Sequence, residues 1–261
     1  MSNTKRFAMT IESLVELADE IKAAQADPQP ALPPLSEVLA EYSPLPREAL
    51  FLGLASDGLP VLLNLFDPVP GPLLVSGDAG CGKTALLQVI ATAVEETHEP
   101  QEVQYGVITA HTDEWEDYEK VPHCAGIHST KASTARELLD SLATWAHSNK
   151  GSSQSMLLLI DGFESMTDLD DQAKQNLRWL LLRGPSRQVW PIVTLNSTRA
   201  VHVYQWLEFF RTRLFGHMEN PVEVRALTGS DDAKTDELIS GVQFLLREGN
   251  EWLPFWIPNL E

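Results

Sequence analysis

The eight residues Gly77-Asp78-Ala79-Gly80-Cys81-Gly82-Lys83-Thr84 constrain this chain more than any other feature. They spell G-x-x-x-x-G-K-T, with the apolar run Leu73-Leu74-Val75-Ser76 before them and a helical pattern over 83–95 after them. A strand that turns through glycines into a helix offers backbone N–H groups, close main-chain approach and the positive end of a helix dipole. That combination suits a phosphate. Lys83 is expected to reach the β- and γ-phosphates as a point charge, the Thr84 hydroxyl to sit on Mg²⁺, and all eight residues to line the nucleotide. Cys81 stands at a variable position of the loop, as a small filler whose thiol could make binding sensitive to alkylation.

A second apolar run, Leu157-Leu158-Leu159-Ile160, ends in Asp161. A carboxylate at the C-terminal end of such a strand lies where open α/β sheets bind ligands, and it can hold Mg²⁺ through water. Hydrolysis also benefits from a carboxylate that polarises the attacking water. The residue after Asp161 is Gly162, so the nearest acid is Glu164, which serves as base only if the strand end curls back; otherwise it is solvated or capping. Slow turnover, or binding without turnover, is the alternative. Asn196 ends the next apolar run, Val189 to Leu195, and is expected either to sense the γ-phosphate or to shape a local turn. No N-K-x-D motif follows Asp161, which argues for ATP over a Ras-like use of GTP.

Around these motifs the chain divides into three parts. Residues 1–27 hold an amphipathic helix over 10–24, with Thr10 as N-cap and Ile11, Leu14, Val15, Ala18 and Ile21 on one stripe. Residues 28–47 are a proline-rich linker with a short helix, and 48–261 are the P-loop domain. That domain is expected to open with a β-hairpin, Ala49 to Leu54 and Pro60 to Phe66, around the turn cluster Ser56-Asp57-Gly58. Strands then alternate with helices, which predicts an α/β fold with a mostly parallel sheet covered on both faces. One of those helices, 133–146, is expected to start at a Thr134/Glu137 capping box.

Charge narrows the partners. The 261 residues carry a formal net charge of −18, opposite to the basic footprint of a protein that binds nucleic acid by electrostatics. Nine carboxylates fall between Glu95 and Glu119, and Lys120 is the sole cation through residue 120, leaving −8 there. Without a D-x-D-x-D-G spacing, this reads as a solvated face. The aromatic stretch Tyr204 to Phe210, with Arg211 and Arg213, is the one place where bases could stack near positive charge; core or interface packing is the alternative. Two cysteines, no secretory leader pattern and no run of 18 apolar residues lead to the expectation of a reduced, cytoplasmic protein without membrane spans.

Taken in order, these segments resemble the FtsK/HerA family of P-loop ATPases over roughly residues 49–258. The hairpin entering the loop is similar to that family's, as are Tyr118 with Pro122-His123, the basic turn Arg183-Gly184 before the Val189 strand, Arg211-Thr-Arg213-Leu-Phe, and the final Gly241 to Pro258 region. The loop's surroundings are also similar to the ATPase modules of type VII secretion systems. The resemblance implies a RecA-like core, ATP with Mg²⁺ and a homo-oligomer, often a hexameric ring, or partner ATPase subunits, moving DNA or protein. It also implies an arginine reaching a neighbour's ATP, for which Arg183, Arg187, Arg199 and Arg213 are candidates. The family's motors usually carry Glu where this chain has Gly162. DNA is allowed by the resemblance but disfavoured by the net charge, and a nucleotide-gated scaffold acting on protein partners is the rival reading.

Overall fold

A computed structural model describes residues 32–149, 153–248 and 251–260, and Pro33–Glu261 form one unit. The helix expected over 10–24 lies outside the described residues. The unit is a ten-stranded sheet in the order β2-β1-β10-β9-β8-β3-β7-β6-β4-β5. Its strands are β1 Ala49–Ala55, β2 Pro60–Asn64, β3 Leu73–Gly77, β4 Val103–Thr109, β5 Cys124–Ser129, β6 Ser155–Asp161, β7 Val189–Asn196, β8 Thr212–Phe215, β9 Gln243–Glu248 and β10 Glu251–Trp256. From β8 to β5 the six strands pair in parallel, and β9, β10, β1 and β2 extend one side as antiparallel partners. The expected hairpin is β1–β2. Its final partner, β10, comes from the far end of the chain.

Helices α1 Leu35–Tyr42, α2 Lys83–Thr97, α3 Ser133–Ser148, α4 Asp171–Arg183 and α5 Pro221–Thr228 flank the sheet. Alternation along the strands sends neighbouring side chains to opposite faces. Leu73, Val75, Leu157, Leu159 and Ile192 join α1 and α2 in one core, whereas Leu74, Leu158, Ile160, Val193 and Leu195 join α3, α4 and α5 in the other. Near-continuous apolar strands are thus explained by burial on both sides. The helix starting at Ser133 has Ala132 as N-cap and no side-chain cap. The Thr134/Glu137 box is therefore corrected: the helix starts at Ser133 as expected, but its N-cap is Ala132, two residues before Thr134, which puts Thr134 inside the first turn. α4, in contrast, is capped by Asp170, whose carboxylate accepts the Ala173 N–H at 2.9 Å.

At the far end of α2, His98 is buried. Its Nε2 lies 3.1 Å from the Arg47 carbonyl, which can only accept, so Nε2 carries the proton, and Nδ1 lies 2.9 Å from the Thr97 hydroxyl, which donates to the Ala93 carbonyl at 2.6 Å. Burial lowers the His98 pKa, with the Arg47 hydrogen bond opposing. The unfolded chain, with a histidine pKa of about 6.5, therefore takes up the proton first. Stability from this group is complete above that value and is lost as pH falls below it. Thermal denaturation between pH 7.5 and 5 should show Tm falling with acidity, with a shallower slope for His98→Gln; equal slopes would exclude His98 as a source.

Candidate nucleotide site

β3 delivers the chain to the C-terminal edge of the sheet between β7 and β8, with Gly77 in register with Asn196 and Ser76 with Phe215. From β3 the chain crosses to β4 on one side and later returns to β8 on the other, so this is the position where strand order reverses and open α/β sheets bind ligands. Gly80 and Gly82 turn the loop at φ of 77° and 92°, a left-handed region that favours glycine. Gly82 is the N-cap of α2, without a side-chain cap or an acid in the first turn. The leading N–H groups and the positive helix end are left for an anion.

The loop is walled by close contacts. A Cβ on Gly82 would collide with the Gly241 carbonyl, so the segment before β9 closes one side, and Ser240 Oγ donates to the Gly80 carbonyl at 3.4 Å. Cys81 Sγ fills a slot between strand ends, where a Cβ would come within 2.5 Å from Gly77 and 2.7 Å from Gly216. The thiol is fully buried, and burial pushes its pKa up despite the neighbouring Lys83 ammonium. A buried, protonated thiol is inert, which corrects the expected alkylation sensitivity.

Lys83 Nζ donates to the carbonyls of Gly77 at 3.0 Å and Asp78 at 2.6 Å, folding over its own loop. Asp78 pins the loop: its carboxylate accepts from the Ser197 hydroxyl and from the Glu219 N–H at 3.0 Å, and its own N–H donates to the His217 carbonyl at 2.9 Å. The loop is thereby tied to the segments leaving β7 and β8.

Across the site, Thr84 Oγ1 donates to Asp161 Oδ2 at 2.9 Å. Thr194, on β7, donates to Asp161 Oδ1 at 2.7 Å and accepts the Gly162 N–H at 2.8 Å. Two hydroxyls thus orient one carboxylate. The Thr84 and Asp161 oxygens are hard donors on one side of a phosphate cradle, and Mg²⁺ takes one or two carboxylates and fills its octahedron with water and phosphate oxygens. The donor set fits that ion.

Gly162 has φ of +94° and leads into the 3-10 turn Phe163–Asp168. Glu164 lies in this turn, with Oε2 buried and without a hydrogen-bond partner among the described residues. It lines a cleft with Ser165, Thr167, Asp168, Arg199 and His202 rather than with the loop. Asn196 Oδ1 accepts from the Thr198 N–H at 3.2 Å and the Thr198 hydroxyl at 3.0 Å, capping the 3-10 segment Ser197–Phe209. The structure therefore joins Thr84 to Asp161, sets Glu164 beside Arg199, and gives Asn196 a capping bond. Thr194 and Ser197 were missed by sequence reasoning, as was the anchoring role of the Asp78 carboxylate. Thr194, a lone hydroxyl in an apolar strand, carried a readable signal; Ser197 carried none.

The candidate arginines separate clearly. Arg199 is exposed at the cleft, while Arg183 ends α4 and Arg187 lies in the turn between α4 and β7, at the edge away from the loop. Arg213 is tied inward, donating to the carbonyls of Phe210, Leu227 and Leu207 at 3.1, 2.7 and 2.7 Å. It is a brace, not a group free to reach a neighbour. Arg213→Met should destabilise the fold by about 2–4 kcal/mol by orphaning three carbonyls, read as a fall in the denaturant midpoint. An unchanged midpoint would mean these bonds contribute nothing. Among the expected stacking aromatics, Trp206 and Phe210 are buried and Trp206 packs edge-on to Phe163 at 5.8 Å. That removes most of a base-stacking platform.

A strand, a glycine-rich loop with an uncapped helix after it, and a threonine–aspartate pair across the strand ends define a P-loop NTPase. The chain belongs to the NACHT domain family, whose model matches residues 71–234. No match is found among curated protein sequences. Among solved structures, the chain is similar to Thermomonospora curvata EccC, ATPases 2 and 3 in complex with a signal sequence peptide, at 18% identity and TM-score 0.68 over 89% of this chain and 44% of that one. It is similar to EssC, ATPases 2 and 3, from Geobacillus thermodenitrificans at 14% identity and TM-score 0.71, over 88% and 47%. It also resembles the pCW3 conjugation coupling protein TcpA with ATPγS at 15% identity and TM-score 0.67, over 84% and 68%. The chain spans less than half the length of the two secretion ATPase chains. The fold agrees with the type VII and FtsK-type resemblance carried by the sequence segments.

Proposed function

We propose that this chain binds ATP with Mg²⁺ and hydrolyses it slowly, as the ATPase module of a translocation assembly working on protein cargo in the reduced cytosol. The observation that carries the reading is the 2.9 Å bond between Thr84 and Asp161, residues 77 apart in sequence. It brings together the hydroxyl and the carboxylate that would share the metal. In this reading the loop amides and Lys83 hold the phosphates, Thr84 and Asp161 hold Mg²⁺, Asn196 senses the γ-phosphate, and Thr194 fixes the Asp161 carboxylate. Bound Mg²⁺ would neutralise charge on the β- and γ-phosphate oxygens. Glu164 is the acid closest in sequence to Asp161, and its buried Oε2 has no hydrogen-bond partner among the described residues. The likeness to secretion and conjugation ATPases supports the translocation class, and the net charge of −18 favours protein over DNA.

Glu164→Gln tests the catalytic part. Phosphate release should fall by about 10²-fold, the weight of a general base, while ATP affinity is retained. Unchanged release would remove Glu164 from the role. A second reading, a nucleotide-gated scaffold, is favoured by one observation: Gly162 occupies the place after Asp161 in a left-handed conformation, where a glutamate would be strained. Tight binding without measurable release in the wild type would select it.

A further inference from the structure

Asn196 stands where β7 meets the glycine-rich loop. It is the last residue of the strand, in register with Gly77, whose carbonyl accepts from the Lys83 ammonium at 3.0 Å. Alternation along β7 sends Val193 and Leu195 into the core of α3, α4 and α5, and Ile192 into the core of α2. Thr194 shares the side of Ile192 and reaches Asp161 from it, and Asn196 is the next residue in that series. Its half-buried side chain therefore lies on the α2 face of the sheet, one step beyond Thr194 and past the Thr84–Asp161 pair.

Two donors fix which way its amide faces. Oδ1 accepts the Thr198 backbone N–H at 3.2 Å and the Thr198 hydroxyl at 3.0 Å. A backbone N–H can only donate, so the oxygen is the atom turned toward Thr198, and Nδ2 with its two N–H donors is turned the other way. Nδ2 has no hydrogen bond among the described residues. A cap requires the backbone N–H alone. The hydroxyl is a second donor to the same oxygen, so that flipping the amide breaks two bonds rather than one. Ser197, buried between the two residues, holds the backbone there, because its own hydroxyl donates to the Asp78 carboxylate in the loop.

We propose that Thr198 is a positioning residue: it holds the Asn196 amide with Nδ2 toward the γ-phosphate, and the pair thereby selects a nucleoside triphosphate over a diphosphate. This rests on the reading of the chain as an ATP-binding module with Asn196 at the γ-phosphate, and adds how that amide is aimed and what it discriminates. The oxygens of a γ-phosphate only accept, so they are met by the N–H₂ end of the amide and repelled by its oxygen. A diphosphate ends one group earlier and gains nothing from either end. The sensor and turn roles expected of Asn196 are then two ends of one side chain, with the oxygen closing the turn and the nitrogen reading the nucleotide.

The test titrates the full chain calorimetrically with the non-hydrolysable β,γ-imido analogue of ATP and with ADP, both in Mg²⁺, and reads the ratio of the two affinities. Asn196→Asp keeps an acceptor for Thr198 and replaces the N–H₂ by a charged oxygen. The ratio should move toward ADP by about 10- to 10²-fold, the span of one charge-assisted hydrogen bond, with ADP affinity retained. Thr198→Val keeps the N–H and removes only the hydroxyl, at an exposed position. The ratio should move the same way by about three- to tenfold, and Thr198→Ser should restore it. A cap that is structural alone would lower Tm, or both affinities together, and leave the ratio unchanged; that result in either variant overturns the proposal, as does a serine that fails to restore. A wild type that binds neither nucleotide overturns the ATP reading and the proposal with it. Binding that depends on Lys83, with a ratio indifferent to Asn196→Asp and Thr198→Val, overturns the proposal alone.

Discussion

Lys83→Ala lowers ATP affinity by about 10²-fold, measured by calorimetric titration in the presence of Mg²⁺. The expectation follows from what the ammonium does. Its bonds run to the carbonyls of Gly77 and Asp78, and in the proposed site it would transfer to phosphate oxygens when nucleotide binds. Charge-assisted hydrogen bonds contribute about 1.5–3 kcal/mol, and each 1.4 kcal/mol is about tenfold in affinity. Two carbonyls also lose their partner in the variant, so Tm should drop slightly. A control with Lys83→Met, which keeps the apolar stem, separates the two effects: affinity should fall as far while packing is better preserved. Undiminished affinity in either variant would mean that this loop does not hold phosphate.

Asp161→Asn has the second large effect, and it falls on the metal. The carboxylate accepts from Thr84 on one oxygen and Thr194 on the other. An amide keeps the shape but presents one acceptor and no charge. Mg²⁺ dependence of ATP binding should disappear, and phosphate release should fall by about 10²–10³-fold, since the metal's charge stabilisation amounts to several kcal/mol. Thr194→Val should reproduce a weaker form of the same defect, because it frees the carboxylate to rotate and orphans the Gly162 N–H. Retained Mg²⁺ dependence in Asp161→Asn would place the ion elsewhere.

The two motifs were legible because each rests on local chemistry. A buried parallel strand needs a continuous apolar run, a phosphate loop needs glycines, and a helix after it needs no side-chain cap. Leu73–Gly77 and Ser155–Asp161 satisfy those demands within a few residues. The 3-10 segment Ser197–Phe209 was not legible as a helix. Its buried residues Val203, Trp206 and Leu207, with Phe210 just after it, follow the i, i+3, i+4, i+7 spacing of an α-helix, so spacing alone does not reveal its 3-10 form. Its tie to the loop, Ser197 to Asp78, spans 119 residues and leaves no local trace. The antiparallel extension is similarly long-range: Leu54 pairs with Trp256, a contact that no periodicity encodes. Arg213 was misread for a related reason. An arginine in sequence is a charge, and only its three carbonyl partners reveal it as a brace.

Gly162 bears on how fast the site can work. Its φ of +94° costs a side chain about 1 kcal/mol or more, and its N–H is committed to Thr194. The local backbone is built for glycine, and the proposed base, Glu164, stands three residues from Asp161.

The central claim is a shared Mg²⁺·ATP site between Thr84 and Asp161. Calorimetric titration of the wild-type chain with ATP, in Mg²⁺ and then in EDTA, tests it most directly. The account predicts one ATP per chain in Mg²⁺, binding at least about tenfold weaker in EDTA, with that difference abolished in Asp161→Asn. Equal affinity in Mg²⁺ and EDTA, or no binding in either, would contradict it.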